Sequence, residues 1–145
     1  LTPRKLLAWQ FAKQARRITH ALLTDLPPGF GDDARQARRS SGGVVRLIAE
    51  GGDRFARGDK RRRFEEALGE LGETVSILDE LADRGAIDRK ATNEAIRIWG
   101  RVGALTYGLV RKHREATQAP ATSPRVPLVA ARLSEDVQKL IHIPR

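Results

Sequence analysis

The chain contains no cysteine and no methionine. The first absence excludes a disulfide framework, a thiolate zinc site, an iron–sulfur cluster and a cysteine nucleophile together. It also fits a reducing compartment, so the expected location is the cytoplasm. Aromatic residues are scarce, 5% of the sequence with a single tyrosine, and platforms on which unpaired bases could stack are not expected. No stretch approaches the roughly 18 unbroken apolar residues that a membrane span needs, so no membrane partner is expected. Leu1 to Leu26 carries Arg4, Lys5, Lys13, Arg16 and Arg17 among its apolar positions, which is not the pattern of a secretory signal. Alternation with period two is missing, which excludes a sheet. The Glu-x-x-His repeats of a di-metal carboxylate centre are missing as well, and His20, His113 and His142 stand alone in their segments. With no strand there is no setting for a phosphate-cradling glycine loop. No metal, no cofactor and no catalytic residue is indicated, and the chain reads as non-enzymatic.

What is present is charge, unevenly placed. The 145 residues carry a formal net charge of +9 and are enough for one domain to bury its own core. Glu65, Glu66, Glu70, Glu73, Asp79, Glu80, Asp83 and Asp88 form an acidic block opposed within it only by Arg84, while the segments on either side are basic. Such asymmetry can attract a polyanion, or pair the acidic face of one copy with the basic face of another.

Apolar spacing predicts four helices. The first is expected from about Pro3, with Thr2 as cap and Pro3 at the first helical position, to about Asp25. Leu7, Phe11, Ala15, Ile18 and Leu22 share a face, and Pro27-Pro28-Gly29 enforces the stop. The second opens near Gly31-Asp32-Asp33, turns Ala34, Ala37, Val44, Val45 and Ile48 inward, and ends at Gly51-Gly52. Gly42-Gly43 inside it costs about 1 kcal/mol per glycine against alanine, so close packing or a bend must offset them. The third carries Phe64, Leu68, Leu71, Val75, Leu78 and Ala82 at the spacing of a bundle seam, with Asp59 as cap and Gly85 as left-handed stop. The fourth opens at Asp88 and turns Ala91, Ala95, Ile98, Val102, Leu105 and Leu109 inward. The glycine pairs Gly69/Gly72 and Gly100/Gly103 would clear a stripe for close packing. The expected architecture is an all-α, antiparallel up-down-up-down four-helix bundle over residues 1–116. A Pro-containing linker and short tail helix follow over 117–145, with Leu133, Val137, Leu140 and Ile141 on one side.

The segment Gln36-Ala37-Arg38-Arg39 followed by Ile48-Ala49-Glu50-Gly51 resembles a signature of the bacterial four-helix-bundle family first noticed in intervening sequences of large-subunit ribosomal RNA genes. That family typically has Gln-Leu-Arg-Arg-Ala-Ala and then, at this spacing, Asn-Ile-Ala-Glu-Gly. Here Leu47 replaces the Asn, and Gly43-Val44-Val45 replaces a Ser-Ile-Pro run. Arg54, Phe64 and Ala67-Leu68-Gly69-Glu70-Leu71-Gly72-Glu73 resemble its downstream elements, with Glu70 in place of a Ser, and Leu7-Ala8-Trp9-Gln10 resembles its opening motif. The resemblance spans roughly residues 5–114. It implies the bundle, assembly of five copies into a ring, and kinship with the accessory protein of diversity-generating retroelements, which binds nucleic acid and a reverse transcriptase.

The strongest local feature is the run Arg54, Arg57, Lys60, Arg61, Arg62 and Arg63 where the second helix gives way to the third. These cations could contact several phosphates without reading bases, with Gly51, Gly52 and Gly58 allowing close backbone approach. Arg16, Arg17, Arg38 and Arg39 could extend the patch. Alternatively these arginines form a solvated loop that pairs with the acidic helix. Glu50 is expected to be structural, pairing with an arginine or capping backbone N–H groups. Two functions follow. One is a non-enzymatic, oligomeric, nucleic-acid-binding accessory protein, with a larger enzyme such as a reverse transcriptase as a further partner. The other is a structural or adaptor homo-oligomer whose charges serve assembly.

Overall fold

The structure, a computed structural model, describes residues 6–54 and 56–117, and of 57 and 115–117 the backbone only. Thr2 and Pro3, expected to start the first helix, and the tail from residue 118 lie outside the described residues. Among the described residues four helices form: α1 (Leu7–Leu22), α2 (Gly31–Asp53), α3 (Arg57–Asp83) and α4 (Arg89–Thr117). No strand occurs among the described residues, so the all-α expectation holds. Both α1 and α3 pack on α2 and on α4, and the four helices enclose one core. No helix among the described residues is long and apolar enough to cross a membrane.

The helix ends follow local chemistry. Gly29 and Gly85 take positive φ, 97° and 75°, where a side chain would be strained. At Gly85 the chain closes α3 through Gly85 N–H to the Ala82 carbonyl (3.0 Å) and Ala86 N–H to the Leu81 carbonyl (2.9 Å), satisfying carbonyls that would otherwise be orphaned. Asp88 caps α4, its Oδ2 accepting from Ala91 N–H at 2.8 Å. Asp59 does not cap α3. The cap position is Ala56, and Asp59 lies inside the first turn, where a carboxylate still favours the helix dipole.

The inward faces of α2 and α3 are those the spacing predicts, from Ala34 to Ile48 and from Phe64 to Ala82. Those of α1 and α4 are so only in part, Ala15 being the inward residue of α1 that the spacing predicts. The buried stripe of α1 is Ala8, Ala12, Ala15 and Thr19, while Phe11, Ile18 and Leu22 are half-buried and Leu7 is 56% exposed. In α4, Ala95 and Val102 are inward as expected. Ile96, Trp99 and Val110 are fully buried beside them, and Ile98, Leu105 and Leu109 are shouldered aside. Trp99, wholly buried, meets α1 at Thr19, and the α1 stripe turned inward is made of small residues.

Two buried polar contacts tie the helices in pairs. Trp99 Nε1–H donates to Thr19 Oγ1 at 2.9 Å, joining α4 to α1. Ser40 Oγ and Thr74 Oγ1 share a 2.7 Å hydrogen bond between α2 and α3, and Thr74 Oγ1–H also reaches the Glu70 carbonyl at 2.9 Å. Sequence patterning treats such hydroxyls as polar and outward, yet here they are satisfied inside.

Of the helical glycines, α2 runs unbroken through Gly42-Gly43. A Cβ on Gly43 would lie 3.3 Å from Cγ and Cδ of Glu70, so this glycine makes room for the carboxylate stem. A tighter approach occurs at Gly51, where a Cβ would meet the Phe64 ring at 2.6 Å. Gly69 faces open space, so it clears no stripe within the chain, whereas Gly103 does pack against Leu71.

Candidate nucleic-acid interface

The cations predicted to bind phosphate separate into two groups in the structure, and carboxylates decide the difference. At the start of α3, Arg61 pairs with Glu65 (3.3 Å), Arg62 with Asp59 (3.8 Å), and Arg63 with both Glu50 (3.5 Å) and Glu66 (3.2 Å). Exposed pairs of this kind add little stability, but each lowers the net positive potential a phosphate would meet. Arg54 lines a concavity with Glu50, Asp53, Ala56 and Asp59, so three acidic residues share the wall of any anion site there. Lys60 has no carboxylate partner among the described residues, and the side chain of Arg57 lies outside them. Gly51 and Gly52 are buried, and Gly51 is closed off by Phe64, leaving only Gly58 open to an approaching backbone. Glu50 does hold an arginine, Arg63, as expected of a structural carboxylate.

Arg38 and Arg39 are also engaged. Arg38 Nη2–H donates to the Leu23 carbonyl at 3.0 Å, closing the C-terminal end of α1, where a cation suits the dipole. Arg39 binds Glu73 at 2.9 Å. The acidic block is answered within the chain as well: Arg89 binds Asp79 at 2.8 Å and also Asp83, and Arg84 lies 4.0 Å from Glu80. Burial, followed by the charge of Glu73, pushes the Glu70 carboxyl above its usual range.

The second group is different. Lys13, Arg16, Arg17 and His20 recur at the spacing of one helix face and line an open cleft of about 420 Å³. Arg16 and Arg17 are exposed, and neither has a carboxylate partner among the described residues. The Lys13 ammonium rests 3.9 Å over the Trp9 ring, which holds it beside the cleft. The His20 imidazole is pushed below its usual range, first by burial and then by the charges of Arg16 and Arg38. Its Nε2 is covered and has no hydrogen-bond partner among the described residues. Lys13 and His20 were missed because neither belongs to a run of charge. The signal that finds them is the i, i+3, i+4, i+7 spacing on one face.

A separate groove of about 290 Å³ with a mixed lining lies between α1 and α4, where Phe11 and Ile98 meet Gln14, Arg97 and Arg101. The Arg101 guanidinium sits 4.7 Å over the Phe11 ring. Among the described residues no cluster of His, Asp or Glu could hold a metal ion.

Among known proteins, a family model described as 23S rRNA-intervening sequence protein matches residues 4–108. None of the curated proteins matches the chain.

Proposed function

The chain belongs to the 23S rRNA-intervening sequence protein family, and from that premise we propose that it is a non-enzymatic, cytoplasmic accessory protein that holds RNA or DNA by the phosphate backbone. In this reading the four helices run up-down-up-down as an antiparallel bundle, and copies assemble into a ring. The short link from Gly85 to Asp88 and the packing of each helix on its sequence neighbours support the first part. Kinship with the retroelement accessory protein would add a larger enzyme, such as a reverse transcriptase, as a companion.

The observation that carries the proposal is the uncompensated face of α1. Among the described residues Lys13, Arg16 and Arg17 meet no carboxylate there, whereas the arginines at the start of α3 largely do. Phosphate contact depends on cations that can release counterions, so α1 is the stronger half of the interface and the α2–α3 junction the weaker. Binding is expected to follow shape and charge rather than sequence.

A labelled structured RNA titrated across a salt series tests this. The expected result is binding at near-physiological salt with a log–log slope of several units. Replacing Lys13, Arg16 and Arg17 with Gln should lower that slope by about 0.7–0.9 for each phosphate no longer neutralised. Replacing Lys60, Arg61, Arg62 and Arg63 with Gln should cost less affinity. Binding confined to very low salt would reduce the charge to generic basicity.

The alternative, a structural or adaptor homo-oligomer, draws on the exposed Leu7 and the groove at Phe11 and Ile98. It differs in outcome: light scattering would show an oligomer while RNA binding fails. A monomer at micromolar concentration would remove the ring from both readings.

A further inference from the structure

The cleft on α1 brings together three cations and an imidazole whose Nε2 has no partner among the described residues. The charged groups acting on His20 are Arg16 of its own helix and Arg38 of α2, with Lys13 and Arg17 on the cleft wall. No carboxylate of the described residues is among them. Burial first, and then the charges of Arg16 and Arg38, disfavour the protonated imidazole while the cleft is empty.

We propose that this cleft is a phosphate seat and that filling it is coupled to uptake of a proton by His20. The inference rests on the nucleic-acid reading above and deepens it, by naming the contact group and its proton dependence. A phosphodiester placed against Arg16 and Arg17 offsets the cationic share of that effect, Arg16 above all, and its own negative charge favours the protonated ring in the complex. Linkage makes the effect reciprocal: if phosphate favours the proton, the proton favours phosphate by the same factor. The sign is fixed by the negative charge of the phosphate, which favours a protonated imidazole beside it. His20 binds its proton less readily in the free protein than an ordinary histidine, and the complex restores it. Affinity therefore rises as pH falls through the histidine range, at most about tenfold per pH unit for one coupled proton.

The test is binding of the same structured RNA between pH 8 and pH 6 at fixed salt. Wild-type affinity is expected to rise as pH falls, His20→Gln to bind with no such slope, and Arg16→Gln/Arg17→Gln to bind more weakly throughout. Calorimetry of the wild-type protein in two buffers of different ionisation heat should show net proton uptake on binding, a readout that needs no variant. Equal pH slopes in the wild type and His20→Gln, or no proton uptake, would overturn the coupling. RNA binding that is untouched by the paired arginine substitutions would overturn the seat while leaving the broader reading standing on another surface. Absence of RNA binding at every pH would bring down both.

Discussion

Trp99→Ala is expected to remove about 3–5 kcal/mol of stability, the usual cost of emptying a fully buried aromatic site. Trp99 is wholly buried, and its indole N–H is held by Thr19 Oγ1 at 2.9 Å. Against a total of about 5–15 kcal/mol for a domain, the variant should unfold at much lower urea or fail to fold. Two causes contribute, and they can be separated. Trp99→Phe keeps most of the packing but removes the donor, while Thr19→Val removes the acceptor and strands the indole N–H at a cost of about 1–3 kcal/mol. Urea unfolding followed by circular dichroism on both singles and the double isolates the hydrogen bond. A loss below about 1 kcal/mol for Trp99→Ala would mean that α1 and α4 are not joined through this residue.

The second large effect concerns a glycine, and its sign is the informative part. Gly51→Ala removes a residue that costs a helix about 1 kcal/mol, so in open space it would stabilise. At Gly51 the added Cβ lies 2.6 Å from Cε1 of Phe64 and 2.9 Å from Cδ1 and Cζ. Phe64 is 1% exposed and stacks on His113 with ring centroids 5.8 Å apart, so it has little room to yield. Overpacking of this kind costs about 1–3 kcal/mol, and net destabilisation is expected, growing with Gly51→Val. Gly69→Ala on α3, with nothing within 4 Å of the new carbon, serves as the opposite-sign control. Thermal unfolding of the pair checks both. Two stabilised variants would show that the α2–α3 crossing is looser than the structure has it.

The same contacts show how far the sequence could be read. The apolar inward positions of α2 and α3 were legible because they recur at helical spacing between charged outward ones, whereas the buried hydroxyls of Ser40 and Thr74 were not. Helix α1 was legible as a helix but not in its rotation. Periodicity tracks size, and here the inner stripe is the small residues Ala8, Ala12, Ala15 and Thr19, the last of them bonded to Trp99 of another element. No single-segment pattern carries that information. The candidate interface divides in the same way. A run of cations such as Arg61, Arg62 and Arg63 is conspicuous in sequence, but its carboxylate partners include Glu50 on a different helix, visible only once α2 and α3 meet. The four spaced residues of α1 are less conspicuous and better exposed.

Two departures from the family pattern also become one fact. Gly43 and Glu70 each stand where the pattern has a serine, and they are distant in sequence. In the structure they touch, since a side chain at Gly43 would press 3.3 Å against the Glu70 stem. A larger residue on α3 is accommodated by a smaller one on α2, a volume exchange across a packed crossing.

The two tryptophans sit in unlike surroundings, and the difference makes them optical reporters of separate events. Trp99, sealed from water and hydrogen-bonded, should emit toward the blue and shift red only when the core opens. Trp9, half-buried on α1, has the Lys13 ammonium 3.9 Å over its ring. Any anion that draws Lys13 into the cleft lifts that charge from the indole face and changes its emission yield. Native fluorescence thus separates occupancy of the α1 surface from unfolding of the interior in a single cuvette, with no label attached.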